Sequence, residues 1–177
     1  MFAPMNGAAL LEVAELLVGH DDVARPRPSC LRRAVSSAYY ALFHELICEA
    51  VHRAVGTDAA TQAQRDTVSR WYSHAAVLAV SQWVVRRSAG RRLPDLVTPL
   101  LATCPPDLVA VAEATIVLQN ERNEADYNPA ATVTRRTVKD HITMARRAVG
   151  LLPGLQGEPG YHGYLLLLLG GPRLAIR

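Results

Sequence analysis

Half of the 177 residues are apolar, a fifth are charged and the formal net charge is +3, which supplies one well-formed core and excludes a disordered chain. The three cysteines, Cys30, Cys48 and Cys104, are odd in number and widely spaced, so neither a disulfide framework nor a CxxC metal site is expected and a reducing compartment fits best. Met1–Asn6 has no basic or long apolar region of a secretory leader, and Leu165–Leu169 is too short a run to span a bilayer; a cytoplasmic protein with no membrane segment is expected.

Five helical segments are predicted. The first is capped by Asn6 and runs to about Gly19; Asp21–Pro28 follows as a loop. Ser29 is the expected cap of the second helix, which continues to about Val55, where Gly56 ends it. Asp58 is the expected cap of a third helix running through Trp71 and Trp83, both read as core anchors, to about Arg87. Ser88–Pro106 carries one glycine and four prolines and is read as loop, with a short helical turn around Leu96–Leu101. Asp107 is the expected cap of a fourth helix ending near Asp126, and Asn128-Pro129 pairs an N-cap with a proline at the first position of a fifth, reaching about Leu152. No run alternates with period two between turn signals, so no sheet is expected, and no internal repeat is visible. The fold class is all-α: an up-and-down bundle of four to five helices over residues 1–152, followed over 153–177 by a loosely ordered tail rich in Gly, Pro and Leu whose leucines can dock on the bundle or on another subunit.

The second helix carries a polar stripe on an otherwise apolar rod. At ~100° per residue, Arg33, Ser37, Tyr40 and His44 fall within roughly 60° of one another. Leu31, Val35, Tyr39, Leu42, Phe43 and Leu46 occupy the opposite side. The stripe reads either as a polar seam satisfied between helices or as one wall of a binding site, because buried polar groups need partners. A second stripe lies on the fourth helix, where Thr115, Gln119, Asn123 and Asp126 share a side with Arg122. Asp126 stands four residues after Arg122 and can orient its guanidinium by a charge-assisted bond, at a helix end whose dipole favours a cation. The plainer reading is a helix-end salt bridge.

These two segments, Ser37-Ala38-Tyr39-Tyr40-Ala41-Leu42-Phe43-His44 and, some way on, Arg122-Asn123-Glu124-Ala125-Asp126-Tyr127, together resemble the HEPN domain family (higher eukaryotes and prokaryotes nucleotide-binding). Trp71-Tyr72-Ser73-His74 adds to the likeness, which spans about Asn6 to Leu152. The resemblance implies an up-and-down helical bundle that pairs into a homodimer and places two copies of the Arg122 region together. It further implies binding of RNA or a nucleotide in a toxin–antitoxin or phage-defence setting, often beside a small nucleotidyltransferase partner. Many such proteins are metal-independent ribonucleases whose motif is an arginine, a polar residue and then a histidine. Arg122 and Asn123 match its first two positions; from Tyr127 to Pro129, where the histidine would stand, there is none.

That substitution has chemical weight. Metal-free RNA cleavage needs a base, an acid and a cation for the phosphorane; histidine suits the first two roles and arginine the third, whereas tyrosine is a poor base at neutral pH. Arg122, Asn123 and Tyr127 are therefore the candidate catalytic residues of a degenerate ribonuclease, with His44 or His74 as possible replacements for the missing imidazole. Arg33, Ser37, Tyr40, His44 and Asp126 are the candidate ligand-binding residues. Tyr127 is also near the place of a tyrosine that, in some members, the nucleotidyltransferase adenylylates. The competing readings are a non-catalytic module that grips a nucleotide or the nucleotidyltransferase, and a structural interaction protein.

The fifth helix sets Val138, Ile142, Ala145, Val149 and Leu152 beside Arg135, Arg136, Lys139, Arg146 and Arg147, and Arg86, Arg87, Arg91 and Arg92 form another basic cluster. These read as solvated faces or as contacts for RNA phosphates. His20, His52, His141 and His162 show no ligand spacing, and there is no HExxH, phosphate loop or nucleophile elbow, so no metal and no cofactor are expected.

Overall fold

A computed structural model describes residues 6–19 and 27–170. Met1–Met5, His20, most of the expected Asp21–Pro28 loop and the last residues of the tail lie outside this range. Among the described residues all regular structure is helical, with no strand. The described residues form seven α-helices where four to five were expected: α1 (Gly7–Gly19), α2 (Pro28–Val55), α3 (Gln62–Val68), α4 (His74–Ser88), α5 (Pro106–Tyr127), α6 (Arg135–Leu151) and α7 (Pro159–Leu168). The chain forms two compact units, one from residues 1–45 and 117–150 and the other from 46–116 and 151–177.

In the first unit, α1 starts as its sequence directs: the Asn6 side chain accepts from the Ala8 N–H at 2.8 Å. The Gly7 N–H donates to Glu45 Oε1 of α2, also at 2.8 Å. Leu11, Ala14 and Val18 of α1, Leu31, Val35, Tyr39 and Leu42 of α2, Leu118 of α5 and Val138, Ile142 and Ala145 of α6 are all buried. α2 begins two residues before the start expected from a Ser29 cap. Pro28 takes the first helical position, where its missing N–H costs nothing, and the Arg27 carbonyl accepts from Cys30 and Leu31, so Ser29 is inside the helix and is not its cap.

Asn128-Pro129 does not start a helix. The Asn128 side chain accepts from Ala130 N–H in a local turn, and α6 begins only at Arg135, where Thr134 Oγ1 accepts from Thr137 N–H. The reason lies on α2. The Arg32 guanidinium donates to the carbonyls of Ala125, Asn128, Pro129 and Ala131, at 2.8–3.0 Å. Arg32 thus ties four carbonyls of this segment to α2, and with the Asn128 carbonyl also taking the Ala131 N–H the segment is held as a turn.

In the second unit, Gly56 ends α2 with φ +91°, a backbone angle that disfavours side chains. The single helix expected from Asp58 to Arg87 is broken into α3 and α4, with a 3₁₀ turn on either side of α3. Asp58 gives its carbonyl, not its carboxylate, to Thr61 and to Arg65. Ser73 then caps α4, its Oγ accepting from Ala76 N–H at 3.1 Å. Trp71 stands at the break and is 63% exposed, so it is no core anchor; Trp83 is half-buried. The expected turn within the proline-rich stretch is present, with Thr98 N–H bonding Pro94 O and Leu101 N–H bonding Val97 O. α5 starts at Pro106 with Val109 N–H on the Pro105 carbonyl, which places Asp107 in the first turn and not at the cap.

The expectation of a loose tail fails over Pro159–Leu168. α7 buries Tyr161, Tyr164, Leu165, Leu167 and Leu168 and packs on α4. Tyr164 OH lies 3.0 Å from Ser81 Oγ, and complete burial pushes its pKa up to about 12 against the pull of hydrogen bonds with Ser81 and Thr115. A Cβ on Gly160 or Gly163 would fall 1.8 Å from the carbonyl oxygen of Thr103 or Leu100. The two glycines, three residues apart, let the helix lie against that backbone.

Candidate functional site

The first unit brings together Tyr40 of α2 with Arg122, Asn123, Asp126 and Tyr127 of α5. Arg122 is the centre. Its Nε lies 2.8 Å from Asp126 Oδ2. Its Nη1 donates to Asn123 Oδ1 at 3.0 Å, and its Nη2 donates to Tyr40 OH at 2.9 Å. The guanidinium carbon sits over the Tyr40 ring, 5.5 Å from its centroid, and over the Tyr127 ring at 5.3 Å, both within cation–π range. Partial desolvation opposes the charge, but Tyr40, Asp126 and Tyr127 outweigh it and hold the Arg122 pKa above its ordinary value. The result is a fixed, permanently charged planar fork, each of whose terminal nitrogens carries a second N–H beyond these bonds.

Asp126 is itself positioned. Its other oxygen, Oδ1, accepts from Ser36 Oγ at 2.6 Å, a length typical of hydroxyl-to-carboxylate bonds. Ser36 is almost wholly buried and one residue away from the predicted Ser37, which is also buried. The same offset separates Arg32, which clamps the turn after α5, from the predicted Arg33, which is exposed. Neither Arg33 nor Ser37 belongs to the Arg122 cluster. Sequence periodicity placed the polar side of α2 correctly near Tyr40 and missed Arg32 and Ser36. The available signal was the doublets Arg32-Arg33 and Ser36-Ser37, in which the neighbouring position one step round the helix is equally polar.

His44 adjoins this cluster through Tyr40. The two rings are stacked, with centroids 5.9 Å apart and planes inclined by 26°. Burial lowers the His44 pKa, with Glu45 pulling weakly the other way; the imidazole is neutral at pH 7. Gln119, from the same predicted stripe as Arg122, accepts from Tyr39 OH at 3.3 Å and so serves the core. Thr115 belongs to the second unit, where its hydroxyl donates to the Val111 carbonyl; His74 also belongs to that unit.

Of the remaining expectations, Arg136, Lys139, Arg146 and Arg147 are exposed along α6, and Arg146 pairs with Glu15 of α1 at 2.6 Å. His141, in which no role was seen, is buried on α6 with Nε2 3.9 Å from Glu121 Oε2 and Nδ1 without a hydrogen-bond partner. Burial lowers its pKa more than Glu121 and Asp140 raise it. Among the described residues no group of His, Cys, Asp and Glu is placed to hold a metal ion, and no helix is long and apolar enough to cross a membrane.

What the cluster can do follows from its parts. A guanidinium that keeps N–H groups at the end of a pinned fork is suited to accept a phosphate or carboxylate without reorganising. A neutral imidazole one ring away can accept a proton. No protein-family model matches the chain, and no curated protein or solved structure matches it.

Proposed function

We propose that this is a HEPN-like protein that binds RNA or a nucleotide through the Arg122 cluster, with the phosphate on the free edge of the guanidinium. The observation that carries the reading is the confinement of Arg122: Asp126, Asn123 and Tyr40 hold its fork while the Tyr40 and Tyr127 rings both lie within cation–π range of it. The structural Arg32 spends its terminal N–H groups on four carbonyls, whereas Arg122 keeps a second N–H on each terminal nitrogen beyond its bonds to Asn123 and Tyr40. Homodimerisation, a nucleotidyltransferase partner and a toxin–antitoxin or phage-defence setting accompany the reading through the sequence resemblance.

A second reading, metal-independent cleavage, is favoured by one observation: His44 is neutral and stacked on the tyrosine whose hydroxyl receives Arg122. There the imidazole would take the 2′-hydroxyl proton as the 2′-oxygen bonds to phosphorus, Arg122 would stabilise the phosphorane charge, and the 5′-oxygen would leave with a proton from water, giving a 2′,3′-cyclic phosphate.

Fluorescence anisotropy with a labelled single-stranded RNA tests binding. Arg122→Gln is expected to weaken it at least ten-fold and to reduce the slope of log K against log salt by about 0.7; unchanged affinity and slope overturn the proposal. Incubating the same RNA with the protein in chelator tests cleavage. Scission lost in both Arg122→Gln and His44→Gln supports the second reading, and intact RNA with wild type removes it.

A further inference from the structure

We infer that Tyr127 is a stacking platform for an unpaired nucleobase, so that the Arg122 site selects single-stranded RNA or a mononucleotide over a duplex; this rests on the phosphate-binding reading above. Tyr127 is 72% exposed, while the Arg122 side chain beneath it is only 12% exposed. The tyrosine therefore covers the guanidinium, 5.3 Å away, and turns its remaining surface to solvent.

The ring stands on firm backbone. Tyr127 is the last residue of α5, and Asn128 N–H still bonds the Glu124 carbonyl at 3.1 Å. Arg32 grips the carbonyls of Ala125 and Asn128 on either side of it. Order is thus supplied before any ligand arrives, which lowers the entropic cost of binding.

The neighbouring groups specify the occupant. A nucleotide carries an anion and a flat π-surface separated by one sugar; the Arg122 fork and the Tyr127 face are an anion site and a flat π-surface side by side. Every base has such a face, so stacking tolerates sequence. A base inside a duplex has both faces covered by its neighbours and has none to offer.

The test compares three labelled probes: a single-stranded oligoadenylate, the same strand in a duplex, and an abasic oligomer of equal length. Wild type is expected to bind the single strand best. Tyr127→Ala should lose roughly ten-fold on the single strand and clearly less on the abasic oligomer and duplex, which feel only the loss of the ring beside Arg122; Tyr127→Phe and Tyr127→Trp should retain affinity. Arg122→Gln should weaken the single strand and the abasic oligomer alike. If Tyr127→Ala leaves the single strand unaffected, or weakens all three probes equally, the stacking role is overturned while the phosphate reading stands. If wild type binds none of the probes, both fall.

Discussion

Replacing Asp126 by alanine strikes the cluster at the group that orients it. The change removes the carboxylate 2.8 Å from Arg122 Nε and the acceptor 2.6 Å from Ser36 Oγ. Breaking one partner from a fully buried ion pair costs about 3–5 kcal/mol. Here the Arg122 and Asp126 side chains are 12% and 24% exposed, so water reaches the orphaned guanidinium and the expected cost is lower, about 2–3 kcal/mol. Ser36 adds little to this, because its hydroxyl can turn to the Arg32 carbonyl at 3.3 Å. In urea the variant should unfold at a lower midpoint with an unchanged m-value, and its melting temperature should fall by roughly 4–12 °C. Asp126→Asn, which keeps an oxygen for Ser36, should fall between the two proteins. A loss below about 0.5 kcal/mol for Asp126→Ala would place the pair among ordinary surface ion pairs and refute the claim that it fixes Arg122.

Three further outcomes are expected. Arg32→Ala removes the guanidinium from the carbonyls of Ala125, Asn128, Pro129 and Ala131 and should speed amide exchange over residues 128–134; Arg32→Lys should not restore protection, because an ammonium lacks the planar fork. Gly163→Ala places a carbon 1.8 Å from the Leu100 carbonyl oxygen and should destabilise by about 3 kcal/mol or more in a urea melt, whereas Gly154→Ala, with nothing within 4 Å, should be near neutral. Acid should weaken the fold through His44 and His141, whose folded pKa values lie below the ordinary 6.5. The unfolded chain then binds protons first, so their contribution is complete above pH 6.5 and is lost as pH falls below it; stability measured from pH 7 to 5 should drop less steeply in His141→Gln, and an unchanged slope would contradict the assignment.

The helices that announced themselves in the sequence did so through local chemistry that the tertiary structure left alone. Asn6 caps α1, and Gly56 stops α2. Where expectation failed, a distant group had intervened. Asn128-Pro129 carries a sound start signal, and Arg32, nearly a hundred residues earlier, ties the Asn128 and Pro129 carbonyls into a turn. Gly160 and Gly163 look like helix breakers when only propensity is considered, yet they are what allows α7 to approach the backbone at Leu100 and Thr103. The break before α4 was readable in Ser73, a good cap inside a segment otherwise read as continuous. At the site, periodicity put Tyr40 on one polar stripe and Arg122, Asn123 and Asp126 on another, without saying whether the two stripes meet. It could not choose between Ser36 and Ser37, because the register of α2 against α5 depends on packing along both helices and not on either pattern alone.

The most direct test of the central claim follows the Arg122 Nε–Hε resonance by nitrogen-15 NMR while a nucleoside 5′-monophosphate is added, with the uncharged nucleoside as control. The account predicts a saturable shift of that resonance, strong with the monophosphate and weak with the nucleoside, and absent from Arg122→Gln. A resonance that stays in place through the titration, with the fold intact, would contradict it.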